Sequence, residues 1–150
     1  MLLRTHLMFA ILMIILFVQY VNNKVVFVVM VLIATMLPDA DTGFSTIGKN
    51  LLTKPLQFFV KHRGVVHSFT LAVILSLLIA MFFPVASFGF FMGYSVHLVC
   101  DSFTKDGIQP FWPFKARSQG FIRSGGKIEE TLFLSLILID VIVFAIVLLF

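Results

Sequence analysis

Charge is what this chain has least of: 12% of its 150 residues are Asp, Glu, Lys or Arg, against ~25% in an ordinary soluble domain. That scarcity argues against a water-soluble fold. The 60% of hydrophobic residues, 19 Phe among them, exceed what a core of this size can hide, so much of the surface should face lipid. Mean hydropathy is +1.08. Cysteine is nearly absent, and the lone Cys100 excludes an intrachain disulfide and leaves the redox compartment unread. No nucleic-acid-binding motif accompanies the formal charge of +4, which therefore reads as a topology signal and an affinity for anionic lipid head groups. A cleavage site is missing as well. Arg4 precedes an apolar run from Leu7 to Val18, but Gln19-Tyr20-Val21-Asn22-Asn23 offers nothing to signal peptidase, so the run is expected to be a retained membrane helix. Internal repeats and low-complexity linkers are lacking too, and residues 1–150 read as a single integral membrane domain.

What the chain does have is apolar stretches at Leu7–Val21, Val25–Leu37, Phe69–Phe83, Val85–Val99 and Thr131–Phe150. They predict an all-α, polytopic membrane protein of about five transmembrane or re-entrant helices. At 1.5 Å per residue the first four are short for a ~30 Å hydrocarbon core, and only the last is long enough without help. Asn22-Asn23-Lys24 turns the first hairpin, Pro38 ends its second arm, and Pro84 separates the third and fourth segments.

Of the 11 Lys and Arg, all but Lys24 fall on one side if the N-terminus and the two long loops, 39–68 and 101–130, share it. The positive-inside rule then places the N-terminus and both loops in the cytoplasm and the C-terminus outside. Lys49, Lys54 and Lys61, interleaved with Leu51, Leu52, Leu56, Phe58 and Phe59, suggest a segment lying in the head-group layer. Trp112, between Pro110 and Pro113, reads as an interface anchor.

That topology brings the rare polar residues to one level. His6 starts the first helix, Asp39 and Asp41 follow the second, His62 and His67 precede the third, and His97 and Asp101 share a face at the end of the fourth. Asp39 and Asp41 alternate around Ala40 after a proline, which predicts extended backbone with both carboxylates on one side. Imidazole and carboxylate together are the donor set of zinc and other borderline divalent ions, with room for one or two of them. Each of these residues also has a plainer reading as a helix-end or turn residue. Arg63 could bind a phosphate or other anion beside such a metal, or simply serve as a cytoplasmic charge. Cys100 reads as a small apolar residue rather than a nucleophile. Asp140, near the middle of the last helix, is costly in lipid and on that ground functional.

Several motifs stand in order along the chain: Thr5-His6, Leu37-Pro38-Asp39-Ala40-Asp41, His62-Arg63-Gly64-Val65-Val66-His67-Ser68, and Gly93 through Asp101, followed by Gly107–Pro110 and Ser124-Gly125-Gly126 with Glu129. In these the chain resembles the YdjM-type inner-membrane metal-dependent hydrolases, over most of its length. The resemblance implies a metal set of His6, Asp39, Asp41, His62, His67, His97, Asp101 and Glu129. It also implies a distant similarity to the sites of zinc-dependent phospholipase C and P1 nuclease. The family usually has Thr where Val66 stands here.

The leading expectation is a zinc-type hydrolase at the cytoplasmic face of the inner membrane, acting on an ester or phosphoester, with membrane lipids as partners and a lipid or phosphoester as substrate. Asp41 would accept the proton of the attacking water and Arg63 would hold the anionic group. The absence of a Gly-x-Ser-x-Gly elbow disfavours a serine hydrolase. The rivals are a metal-binding transporter or sensor, favoured by Asp140, and a structural protein whose polar helix ends merely set topology.

Overall fold

Each apolar stretch folds as a helix in the computed structural model, which describes residues 1–41 and 65–149 and, of Ala40 and Asp41, only the backbone. The five α-helices among these residues are α1 (Leu3–Phe17), α2 (Lys24–Met36), α3 (Phe69–Phe82), α4 (Pro84–Ser102) and α5 (Lys127–Leu149). The described residues contain no strand; two isolated bridges, Thr104 with Ile122 and Ile108 with Ser118, organise the loop between α4 and α5.

The helix starts follow from local chemistry. The Asn23 side chain accepts the Val26 N–H at 3.1 Å and caps α2, and the Ser68 hydroxyl accepts the Leu71 N–H at 3.2 Å and caps α3. Pro84 occupies the first turn of α4, where its missing N–H costs nothing. Both α1 and α5 begin four residues before their apolar stretches. In α5 the extra turn carries Glu129 and Glu130, whose charges suit the positive end of the helix dipole.

One local expectation is corrected. Residues Leu37–Asp41 form a 3-10 turn rather than extended backbone, so side chains two apart are not aligned and the alternation argument for Asp39 and Asp41 fails. The fixed φ of Pro38 fits a tight helical turn as well as a strand.

Among the described residues, two helices are long and apolar enough to cross a membrane, α1 with its 3-10 extension (Leu3–Tyr20) and α5; α3 is apolar but shorter. Of the about five transmembrane or re-entrant helices expected from the sequence, all five form as helices, and two of them have the length and apolar composition of a span. On α5 only Glu129, Leu136 and Asp140 are buried, leaving a belt of exposed Ile, Leu, Val and Phe.

Helix α2 packs chiefly against α4, α1 against α5, and α3 against α4. In lipid there is no hydrophobic drive between helices, and close van der Waals approach must supply the attraction. Small residues permit it here. A Cβ on Gly93 would lie 2.2 Å from the Val31 carbonyl oxygen, and one on Gly89 would lie 3.0 Å from that of Phe27. Ala34, Ala72, Tyr94, Leu98 and Ile108 fill the core beside this crossing, all with 0% exposure.

Candidate metal centre

Four segments converge at one end of the bundle. The start of α1 contributes His6, the 3-10 turn after α2 contributes Asp39, the turn before α3 contributes His67, and the last turns of α4 contribute His97 and Asp101. The three histidines and Asp101 are at most 2% exposed. His6 Nε2 lies 3.4 Å from Asp101 Oδ1, and His67 Nε2 lies 3.7 Å from Asp101 Oδ2. His97 Nε2 is 3.8 Å from both Asp101 Oδ2 and Asp39 Oδ1. The His6 and His97 rings stack at 4.1 Å, and His67 meets His97 edge-on at 5.4 Å.

Among the described residues, two triads have donor atoms within 4.8 Å of one another: His6, Asp39 and His97, and His67, His97 and Asp101. They meet at His97. Its Nδ1 lies 2.8 Å from the Thr35 carbonyl oxygen, an atom that can only accept, so Nδ1 carries the hydrogen and the neutral ring turns its Nε2 lone pair towards the carboxylates. The triads are therefore two sides of one centre built around a single nitrogen.

The residues fit a metal ion. Bonds of ~2.1 Å set tetrahedral ligand atoms ~3.4 Å apart, close to the 3.4 to 3.8 Å found between the imidazoles and carboxylates. His97 Nε2 and both nitrogens of His6 are buried without a hydrogen bond among the described residues; a cation would satisfy His97 Nε2 and one of the two His6 nitrogens. Burial holds the Asp39 carboxyl above its ordinary range, with His6 and His67 opposing the shift and Asp101 adding to it.

The supporting shell is as specific as the donors. The Tyr94 hydroxyl donates to the Val66 carbonyl at 2.6 Å, and the Ser68 hydroxyl donates to the Val65 carbonyl at 2.6 Å; together they fix the turn that bears His67. The Thr35 hydroxyl donates to Val31 O at 2.8 Å and lies 3.2 Å from Gly93 O, tying α2 to α4 at the level of His97. The Met1 amino group donates to Asp101 Oδ1 at 2.5 Å.

Glu129, expected among the ligands from the resemblance, is not brought into either triad. Its carboxylate accepts the Leu2 N–H at 2.6 Å, the Thr5 hydroxyl at 2.9 Å and the Gly125 N–H at 2.6 Å. It clamps the start of α1, and with it His6, to the start of α5. His62 and Arg63 lie outside the described residues, as does the side chain of Asp41. Sequence reasoning gave no role to Thr35, or to Tyr94 within the Gly93–Asp101 motif; the signal available was a polar residue in an apolar helix. Cys100 is a buried free thiol, as expected.

Two helices among the described residues with the length and apolar composition of a span, and a buried His/Asp cluster able to hold a metal ion, fit a membrane protein with a candidate metal centre. The chain belongs to the YdjM inner membrane protein family, whose model matches residues 1–149. Neither the curated proteins nor the solved structures gave a match.

Proposed function

We propose that this protein is a metal-dependent hydrolase at the cytoplasmic boundary of the inner membrane, cleaving an ester or phosphoester of a lipid-derived substrate. The observation that carries the reading is the His97 nitrogen, turned by Thr35 towards two carboxylates in a site shared with His6 and His67. Zinc suits the mixed imidazole and carboxylate donors, as one ion or two. Such an ion supplies Lewis acidity, which polarises an ester or phosphoryl oxygen and acidifies water. Around it, His6, His67 and His97 bind, Asp39 and Asp101 bind or orient them, Asp41 accepts a proton, and Arg63 holds an anionic group.

Elemental analysis of the purified full-length chain tests the metal. Near one equivalent or more is expected in wild type and a loss in His97→Ala; less than about a tenth of an equivalent in wild type would sink every metal reading. Hydrolysis of phosphoester and carboxyl-ester lipids by metal-loaded protein, absent after chelation, tests the chemistry.

A second reading, metal transport or sensing, is favoured by Asp140. Both its carboxylate oxygens are buried on α5 with no hydrogen bond among the described residues, and transport needs polar groups at depth. Metal flux in proteoliposomes that Asp140→Asn abolishes, together with no hydrolysis, would select it.

A further inference from the structure

An apolar groove of about 510 Å³ runs between α1 and α4, with no polar atom on its surface. It arises from the packing. Helix α1 leans mainly on α5, while α4 leans on α2 and α3, so away from the His6–His97 stack the facing sides of α1 and α4 part. Phe9 and Met13, one turn apart on α1, form one wall. Met92, Val96 and Val99, at i, i+4 and i+7 on α4, form the other, and Phe103 and Ile122 form the floor. Its volume is that of a small-ligand site, and methionines on both walls let it adapt to flexible chains.

The floor is where apolar surface gives way to charge. Ile122 is bonded into the loop through its N–H to Phe103 O at 3.1 Å and through its carbonyl to the Lys105 N–H at 2.9 Å. Side chains alternate along such a segment: Ile122 is 8% exposed, whereas its neighbour Phe121 is 69% exposed. On that other side lies a second cavity of about 530 Å³, lined by Lys105, Arg123 and Lys127. One thickness of chain thus separates an apolar groove from a basic cavity.

We propose that this pair of cavities is a binding site for one anionic phospholipid, with an acyl chain between α1 and α4 and the phosphate-bearing head at Lys105, Arg123 and Lys127. Three features select that occupant. One groove wall belongs to α1, a candidate membrane span, so the ligand at hand there is a lipid chain. The three basic side chains form no ion pair with any described residue and complement an anionic head. A flexible glycerol linkage joins apolar and charged parts over the width of one chain segment, as the Phe121–Arg123 divider requires. Cys100 and Met1 also line the groove, which sets the site against the wall of the metal centre. Lipid binding itself needs no metal.

The test reconstitutes the full-length chain in phosphatidylcholine nanodiscs containing a trace of phosphatidylglycerol with a photoactivatable diazirine in its acyl chain, or the same label on phosphatidylcholine. Adducts are mapped by mass spectrometry, in EDTA so that the outcome is independent of the metal centre. The phosphatidylglycerol label is expected to concentrate on Met13, Met92 and Val96, and to fall about fivefold for each of Lys105→Ala and Arg123→Ala. Val96→Trp and Met13→Trp, made separately on opposite walls, are each expected to displace the groove adducts while labelling of Phe144, exposed on α5, stays constant and reports an inserted fold. Equal labelling by the two lipids, or groove labelling no stronger than that of Phe144, overturns the proposal.

Discussion

His97 donates its Nδ1–H to the carbonyl oxygen of Thr35, 62 residues away in sequence, over 2.8 Å. That bond joins α4 to α2 and orients the nitrogen that both donor triads share. Replacing His97 by Asn separates the two roles, because the Asn amide reaches the Thr35 carbonyl but has no atom at the Nε2 position. The expected outcome is an unfolding free energy within about 1 kcal/mol of wild type and metal affinity lowered by more than about 100-fold, beyond the loss typical of a merely supporting residue. Calorimetric metal titration and denaturant unfolding read the two effects. Wild-type metal content in His97→Asn removes this nitrogen from the centre.

Glu129 tests whether holding α1 in place matters to the site. Glu129→Ala leaves two backbone N–H groups and the Thr5 hydroxyl without their acceptor, at an expected cost of about 2–4 kcal/mol. Glu129→Gln keeps one oxygen and should lose roughly half of that. His6 lies one residue beyond Thr5 on the same turn, so metal affinity should weaken about tenfold in the alanine variant. If Glu129 were itself a ligand, the Gln variant would lose the metal with little change in unfolding, and the clamp account would fall.

Much of this was legible in the sequence, for physical reasons that particular residues make plain. Long apolar runs in a chain so poor in charge read as helices, as each of them is, and His97 and Asp101 share a face because of helical geometry alone. Hydropathy placed the start of α1 too late, since Arg4, Thr5 and His6 interrupt the apolar pattern, and the start of α5 too late, since Glu129 and Glu130 do the same. The turn at Leu37–Asp41 was misread because Pro38 admits two backbone shapes, and only its packing selects one. The roles of Thr35 and Tyr94 are not legible because their partners lie 62 and 28 residues away, and spacing along a chain carries no record of such contacts.

The orientation proposed for the membrane can be read by labelling. Tyr20, 77% exposed at the far end of the α1 span, and Lys115, exposed in the loop before α5, should lie on opposite sides. An impermeant maleimide applied to spheroplasts is expected to modify Tyr20→Cys directly and Lys115→Cys only after permeabilisation. The native Cys100 is buried and contributes little background. Gly120 is a poorer probe, since a Cβ there would lie 2.2 Å from the Phe103 carbonyl oxygen. The reverse labelling pattern places the His/Asp cluster on the outer face.

The crossing of α2 and α4 sets the geometry of the site from below. Gly93→Ala directs a methyl group to 2.2 Å from the Val31 carbonyl oxygen, an atom of backbone that cannot turn aside, so the two helices must part. Overpacking of this kind costs about 1–3 kcal/mol. Thr35 follows Val31 by one turn and bonds to both Val31 O and Gly93 O, so the displacement should carry the carbonyl that orients His97 and weaken metal binding about tenfold. Gly89→Ala is the control, because its methyl would meet the Phe27 carbonyl oxygen at 3.0 Å, one turn further from the metal residues on both helices. It should lose less stability and leave the metal affinity unchanged. Equal effects of the two alanines on metal binding would show that the crossing supports the fold without orienting His97.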